Sequence, residues 1–224
     1  MFDAATKSGN SKDDGSIKQD DQVERRADTR TYAVFRVAKL LIDGEEMLCR
    51  IKNISARGIM AETLSPPQPK QPISVELRDG ERLEGKVAWA SKRAFGVAFT
   101  DRIDLARVLT KDATDQGHSS RPARVKAHCS ARLRIGGIYK IVELEDISQN
   151  GCRLKFGEVL PQGQELVLQV DGLPAIKCVV RWCRDGETGI AFNEALSYTV
   201  LEHWLWLRRS GARAAEQLGV TTAS

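Results

Sequence analysis

The sequence predicts a mainly β protein made of two copies of a small antiparallel β-barrel or β-sandwich, each followed by a C-terminal helix. Three observations predict this fold class: an internal repeat, short apolar segments separated by Asp-Gly or Gly-Gly turn signals, and helical apolar spacing only near the end of each copy. Hydrophobic residues make up 42% of the 224-residue chain and charged residues 29%, a balance typical of globular domains. We therefore expect folded domains with apolar cores.

The internal repeat has an offset of 93 residues. At this offset the matched segments, in order, are 52–66 with 145–159, Trp89 with Trp182, and GVAF at 96–99 with GIAF at 189–192. Chance can produce one such match but not an ordered series, so the two halves are copies of one domain.

We divide the chain at the ends of this repeat. Residues 1–24 contain few large apolar side chains, so they cannot bury enough surface to offset their ordering entropy, and we expect a disordered tail. The first copy spans residues 25–113 and the second spans 119–212, with a linker at 114–118. Residues 213–224 form the end of the last helix and a tail.

Each copy is expected to consist of strands that flank tight turns. In the first copy the predicted strands are Ala33–Ile42, Met47–Ile54, Ile73–Leu77, Leu83–Trp89 and Phe95–Phe99. Asp-Gly between apolar segments is a strong hairpin signal. Closing these strands into a barrel would remove exposed sheet edges, which suits a domain of this size.

Helical patterns follow the strands at Asp101–Leu109 and at Ser197–Gln217. In the second helix, side chains recur at steps of three and four residues, at Val200, Leu201, Trp204, Leu205 and Arg208. We expect this face, with Trp204, to pack on its own barrel; a homodimer interface is the alternative.

Composition excludes several classes of protein. The net charge of +4 is too small to indicate nucleic-acid binding, and no apolar segment is long enough to span a membrane. The N-terminus lacks the pattern of a secretory signal, and the five cysteines are an odd number without a C-x-x-C pair. We therefore expect free, buried thiols and a cytoplasmic location.

Nothing in the sequence indicates an enzyme or a metal site. The three histidines, at positions 118, 128 and 203, are far apart, and nucleophile-elbow, zincin and phosphate-loop motifs are absent from the sequence. His128 next to Cys129 suggests a metal or thiolate site, but no second pair accompanies it, so a structural histidine is expected.

Two short polar segments do indicate a binding site. Arg25, Arg26 and Arg30 lie just before the first predicted strand, and Asn-Ile-Ser-Ala-Arg-Gly occupies 53–58 at the end of the second. Arg26-x-x-x-Arg30 followed by N-x-S-x-x-G resembles the signature of the PilZ domain family. The resemblance implies a small antiparallel β-barrel with a C-terminal helix that binds the bacterial second messenger cyclic di-GMP (c-di-GMP).

The residue types suit this ligand, which presents two phosphates and two guanines. The planar fork of arginine matches phosphate oxygens and the guanine O6/N7 edge. Asn53 can bond a guanine edge, and Ser55 adds a hydroxyl. Gly58 would permit a positive φ or a close backbone approach. An ordinary polar turn after a solvated arginine segment is the alternative interpretation.

The second copy departs from this pattern. It keeps Asp146-x-Ser148-x-x-Gly151, but Arg121 and Arg124 do not restore Arg-x-x-x-Arg. Losing one arginine of a charge-assisted pair weakens binding about 10- to 150-fold. We expect these five residues to form at most a weak second site.

Together these observations predict a bacterial c-di-GMP receptor or adaptor without cofactor or catalytic residues. Ligand binding would rearrange the arginine segment and signal to a protein effector. The main alternative is an adaptor that binds no nucleotide and uses both barrels for protein contacts. A third interpretation, binding of single-stranded RNA, is weaker because that usually requires exposed aromatic side chains, and aromatics make up only 6% of the chain.

Overall fold

Both copies fold into closed six-stranded antiparallel barrels with the same strand order. The computed structural model describes residues 31–77, 81–110 and 122–217. In the first barrel the strands are β1 (Tyr32–Ile42), β2 (Glu45–Ser55), β3 (Gly58–Glu62), β4 (Pro72–Glu76), β5 (Arg82–Ala90) and β6 (Ala94–Phe99). Their order around the barrel is β1-β2-β3-β6-β5-β4, and pairing of β1 with β4 closes it.

The second barrel repeats this arrangement. Its strands are β7 (Val125–Ile135), β8 (Ile138–Ser148), β9 (Gly151–Lys155), β10 (Glu165–Gln169), β11 (Ile176–Arg184) and β12 (Glu187–Phe192). Pairing of β7 with β10 closes the ring. The tail expected at 1–24 and the linker expected at 114–118 lie outside the described residues.

Strand β3 was not predicted, because its five residues are too short to give a clear period. It is nevertheless central: Ile59 and Ala61 face the core, and β3 pairs with both β2 and β6. Tertiary pairing on both edges therefore makes this segment a strand.

The repeated Trp and Gly residues have a shared structural reason. Trp89 lies opposite Gly96 where β5 bulges against β6, and Trp182 lies opposite Gly189 in the second barrel. A Cβ atom at either glycine would collide with the indole of the facing tryptophan. Each Trp ring thus covers a strand position that only glycine can occupy without a clash.

The two barrels have separate apolar cores. Fully buried side chains of the first include Leu40, Ile51, Val75, Val87 and Phe95, and those of the second include Leu133, Leu144, Ile147, Leu154 and Leu168.

The prediction of a helix after each barrel was only partly right. Helix α1 has just six residues, Leu105–Thr110, whereas α2 (Tyr198–Gln217) has twenty. The expected helix at 101–109 is too long because Asp104 caps α1, its carboxylate accepting a bond from the Ala106 amide (2.9 Å). Ile103 is held in the preceding loop by a bond from its amide to the Ala56 carbonyl. Only the second barrel is followed by a long helix within the described residues.

Helix α2 packs on the second barrel, as its apolar spacing predicted. Leu201, Trp204 and Leu205 are at most 5% exposed and belong to the core of that barrel. Trp204 Nε1 donates to the Asp171 carbonyl at 2.8 Å.

The same helix also contacts the first barrel. The Leu64 amide donates to Glu202 Oε1 at 2.8 Å. The Tyr198 hydroxyl lies 2.8 Å from the same carboxylate oxygen and 3.3 Å from the Glu62 carbonyl. The guanidinium of Arg50 stacks 4.5 Å above the Tyr198 ring. Helix α2 therefore joins the two barrels. No helix in the described part of the chain is long and apolar enough to cross a membrane.

Candidate ligand-binding site

The N-x-S-x-x-G segment forms the tight turn between β2 and β3. Ser55 ends β2 and pairs with Gly58, the first residue of β3. Ser55 Oγ donates to the Gly58 carbonyl (3.2 Å) and accepts from the Arg57 amide (3.4 Å). The serine therefore stabilises the turn and keeps Asn53, two residues before it, in a defined position at its rim.

Gly58 is required for close packing and not for a positive φ. It lies opposite Ala98 on β6, and a Cβ atom would collide with the Val97 carbonyl oxygen. Gly151 has the same relation to the Ile190 carbonyl in the second barrel. Of the two roles expected for this glycine, the structure has the close backbone approach.

Asn53 is half-buried beside this turn, on the strand that faces the start of β1. Its Nδ2 atom makes a 3.9 Å contact with Met60 Sδ, a weak hydrogen bond. Among the residues that the structure describes, this is the only hydrogen bond of the Asn53 side chain. The amide can therefore exchange a weak partner for a stronger one.

The arginines of the first motif, Arg25, Arg26 and Arg30, lie outside the described residues, as does Arg121 of the second copy. The strand that follows them is described. Tyr32 pairs with Ile54, and Ala33 pairs with Asn53. The chain that carries the arginines therefore joins the barrel directly beside the N-x-S-x-x-G turn.

The second barrel builds the same turn with different charges at its rim. Ser148 is fully buried, and its Oγ donates to the Gly151 carbonyl at 2.9 Å. Asp146 takes the place of Asn53 and forms an ion pair with Arg124, whose NH1 lies 2.7 Å from Oδ1. Of the residues expected in a weak second site, the structure thus brings Arg124, Asp146, Ser148 and Gly151 together.

Sequence reasoning missed Arg153 and Glu187. Arg153 donates from Nε to Asp146 Oδ2 at 2.8 Å and from NH1 to Glu187 Oε1 at 2.7 Å. These hydrogen bonds, first that to Glu187 and then that to Asp146, raise the pKa of Arg153. The 93-residue repeat aligns Arg153 with Met60 and Glu187 with Ala94, so both charges occur only in the second copy. This difference between the copies could have revealed the pair.

The remaining chemistry-bearing groups are thiols and a histidine cluster. All five cysteines are free, and burial raises the pKa of Cys178 to about 11. His128 lies beside two glutamates that sequence reasoning did not connect with it: one ligand atom each of His128, Glu143 and Glu145 lie within 4.8 Å of one another. His128 and Glu143 are exposed and Glu145 is partly buried, and His128 Nδ1 lies 3.6 Å from Glu145 Oε2, a contact that is an ion pair only when the histidine is protonated.

Comparison with solved structures finds matches at low identity. PlzA of Borreliella burgdorferi in complex with c-di-GMP is 10% identical, with a TM-score of 0.34, and the match covers 83% of this chain and 96% of that one. The MrkH–c-di-GMP complex of K. pneumonia is 12% identical, with a TM-score of 0.32 and coverage of 91% and 97%. YcgR of Escherichia coli in complex with c-di-GMP is 14% identical, with a TM-score of 0.30 and coverage of 88% and 92%. No curated protein sequence matches this chain.

Comparison with protein families is decisive for the family. The PilZ domain matches twice, at residues 24–110 and at residues 118–204, which together make up most of the chain. Each match contains one of the two barrels and its polar turn. The chain therefore belongs to the PilZ family and contains two PilZ domains in tandem.

Proposed function

We propose that the first barrel is a c-di-GMP receptor site formed by Arg25, Arg26 and Arg30 together with the 53–58 turn. PilZ domains are typically non-catalytic c-di-GMP receptors. The observation that carries the proposal is the register of β1 and β2, in which Ala33 pairs with Asn53. It brings the start of β1, the strand that follows the arginines in the sequence, next to the 53–58 turn.

Covalent geometry supports this assignment. Two residues of chain span at most about 7 Å, so Arg30 cannot be far from Tyr32, which is paired with Ile54. A ligand phosphate or guanine bound over the turn is within the range of such a side chain. Arg30 can therefore act on a ligand that also contacts Asn53.

The polar groups at the turn suit a guanine base. Asn53 offers both a donor and an acceptor, and its contact with Met60 Sδ is easily replaced. Gly58 lies close against β6, and the packing of the turn on that strand requires glycine there. Arginine forks then supply charge-assisted bonds to phosphate oxygens or to the guanine O6/N7 edge.

Signal output is proposed to pass through protein contacts. Helix α2 joins the barrels through Glu202, which accepts from the first-barrel amide of Leu64, so changes at the first barrel can alter the helix. Large apolar side chains are exposed on β8 of the second barrel, with Tyr139 at 54% and Ile141 at 76%. Such side chains are a suitable contact for an effector protein. Free cysteines fit a reducing cytoplasm as the site of action.

The test is calorimetric titration of the full chain with c-di-GMP, with single-stranded RNA as the control ligand. R26A and R30A should each weaken binding at least about tenfold, because each removes a charge-assisted bond. N53A should weaken it less, because it removes a neutral bond. R181A, at an exposed position on β11, is the matched control and should bind like the wild type.

The same titration can reject the proposal. If R26A and R30A bind c-di-GMP as tightly as the wild type, the motif is not the site. If the wild type does not bind the nucleotide at all, the adaptor without a nucleotide becomes the better interpretation. Binding of RNA in preference to c-di-GMP would favour the third interpretation.

A further inference from the structure

We propose that Arg153 occludes the motif of the second barrel by occupying the acceptor atoms of Asp146, and so decides which of the two copies binds ligand. The inference rests on the function proposed above. The sequence shows that the second copy lacks the upstream arginine pair. Only the fold shows that Arg153 also occupies Asp146. Arg153 pairs with Asp146 and Glu187, and Asp146 also pairs with Arg124.

Both carboxylate oxygens of Asp146 are engaged. Oδ1 accepts from Arg124 NH1 at 2.7 Å, and Oδ2 accepts from Arg153 Nε at 2.8 Å. Both bonds are charge-assisted and therefore stronger than bonds between neutral groups. Each oxygen keeps a second lone pair, so a ligand donor must share the carboxylate with these guanidinium groups or displace one of them.

The guanidinium group is a good stand-in for the edge of a guanine. Guanine presents adjacent N–H donors on N1 and N2 along its Watson–Crick edge, and a carboxylate can accept both. Arginine presents the same kind of planar fork of N–H donors and carries a full positive charge as well. Arg153 and Arg124 therefore donate hydrogen bonds to Asp146 in the way that the guanine base of a ligand would.

The network is also held in place by the barrel. Asp146 on β8 lies directly opposite Arg153 on β9, and Arg153 lies opposite Gly189 on β12. Glu187, two residues before Gly189, accepts from Arg153 NH1 at 2.7 Å. Arg153 is thus anchored to both neighbouring strands, and moving it breaks two charge-assisted bonds.

The first barrel lacks all three charged groups at the equivalent positions. Asn53 replaces Asp146 and lies opposite Met60, which replaces Arg153. Ala94 replaces Glu187 and has no group that could hold a cation. Where the second barrel has these three charges, paired with one another and with Arg124, the first has one weak contact from an amide to a thioether. The first turn is therefore open to ligand.

The test transfers the network into the first barrel of the full chain. Asn53→Asp is the starting variant, and Met60→Arg with Ala94→Glu is then added to it. Calorimetry with c-di-GMP should show N53D within about fivefold of the wild type, because aspartate can accept from the same base edge. The triple variant N53D/M60R/A94E should lose at least about tenfold relative to N53D, because the ligand must displace a charge-assisted bond.

The matched control is N53D/M60Q, which introduces a long polar side chain without a guanidinium fork. It should bind like N53D. Equal affinity of the triple variant and N53D would overturn the proposal. If N53D/M60Q loses as much affinity as the triple variant, the proposal is also overturned, because side-chain bulk and not the guanidinium fork would then block the site. Absence of binding by the wild type would instead reject the proposed function, and the occlusion with it.

If N53D alone abolishes binding, the second barrel provides the test. S119R/A123R places Arg-x-x-x-Arg at the positions that the 93-residue repeat aligns with Arg26 and Arg30. This variant should show no second binding event, whereas adding R153M/E187A should produce one. A second event before Arg153 is removed, or none after it is removed, would overturn the inference.

Discussion

Glu202 provides the sharpest test of how α2 connects the two barrels. Its side chain is 3% exposed, and Oε1 accepts from the Leu64 amide and from the Tyr198 hydroxyl, both at 2.8 Å. Its other oxygen lies 3.6 Å from Arg93, beyond hydrogen-bond distance. Replacing Glu202 with Ala removes the main polar link between the helix and the first barrel.

The magnitude follows from the groups that remain. In E202A the Tyr198 hydroxyl can still donate to the Glu62 carbonyl at 3.3 Å, so it keeps a partner. The Leu64 amide loses the acceptor that it has in the wild type, and a partly buried donor without a partner costs about 1–3 kcal/mol. The ion pair with Arg93 adds little, because that side chain is 58% exposed. We expect the free energy of unfolding to fall by about 1–3 kcal/mol.

Two measurements check this. Denaturant unfolding followed by tryptophan fluorescence gives the change in free energy, and amide hydrogen exchange reports the Leu64 N–H directly. E202Q is the matched control: its amide oxygen can still accept from Leu64, so it should lose less stability and keep more protection. If E202A unfolds at the same denaturant concentration as the wild type and the exchange of Leu64 is unchanged, Glu202 does not hold the barrels together.

Three further predictions concern packing and titration. G96A should lower the free energy of unfolding by about 1–3 kcal/mol, because its methyl group collides with the Trp89 indole. G211A, at an open position in α2, should raise the free energy of unfolding by about 0.5–1 kcal/mol. Thermal melts distinguish the two variants. Burial raises the pKa of Cys178 from 9.0 to about 11 and also raises that of Tyr198, so the folded state retains these protons longer than the unfolded state. The Cys178 contribution to stability should therefore be complete below pH 9 and lost as the pH rises through 11, and the Tyr198 contribution should begin to fall above pH 10. Denaturant titrations across that range would detect the loss, and a flat profile would contradict it. For the same reason, the Cys178 thiol should react with a thiol reagent at pH 8 only when the chain is unfolded, and rapid labelling of the native protein would show that its strand opens.

The sequence by itself determined the repeat, most strands and the motif at 53–58. These features depend on local signals: turn residues, apolar spacing, and residue types at fixed offsets. The long helix at the C-terminus was also predicted within one residue of its start at Tyr198. Each of these is encoded within a window of a few residues, so no knowledge of distant partners is needed.

The tertiary structure determined which of those segments pair and which of their side chains meet. Strand β3 exists because it pairs with β2 and β6, and Gly58 is required because β6 passes close to it. Glu202 reaches a first-barrel amide 138 residues away, and Arg153 meets Asp146 and Glu187 only because barrel closure brings three strands together. A hydrogen bond requires its atoms within about 3 Å of each other, and only the folded chain sets that distance for residues far apart in sequence.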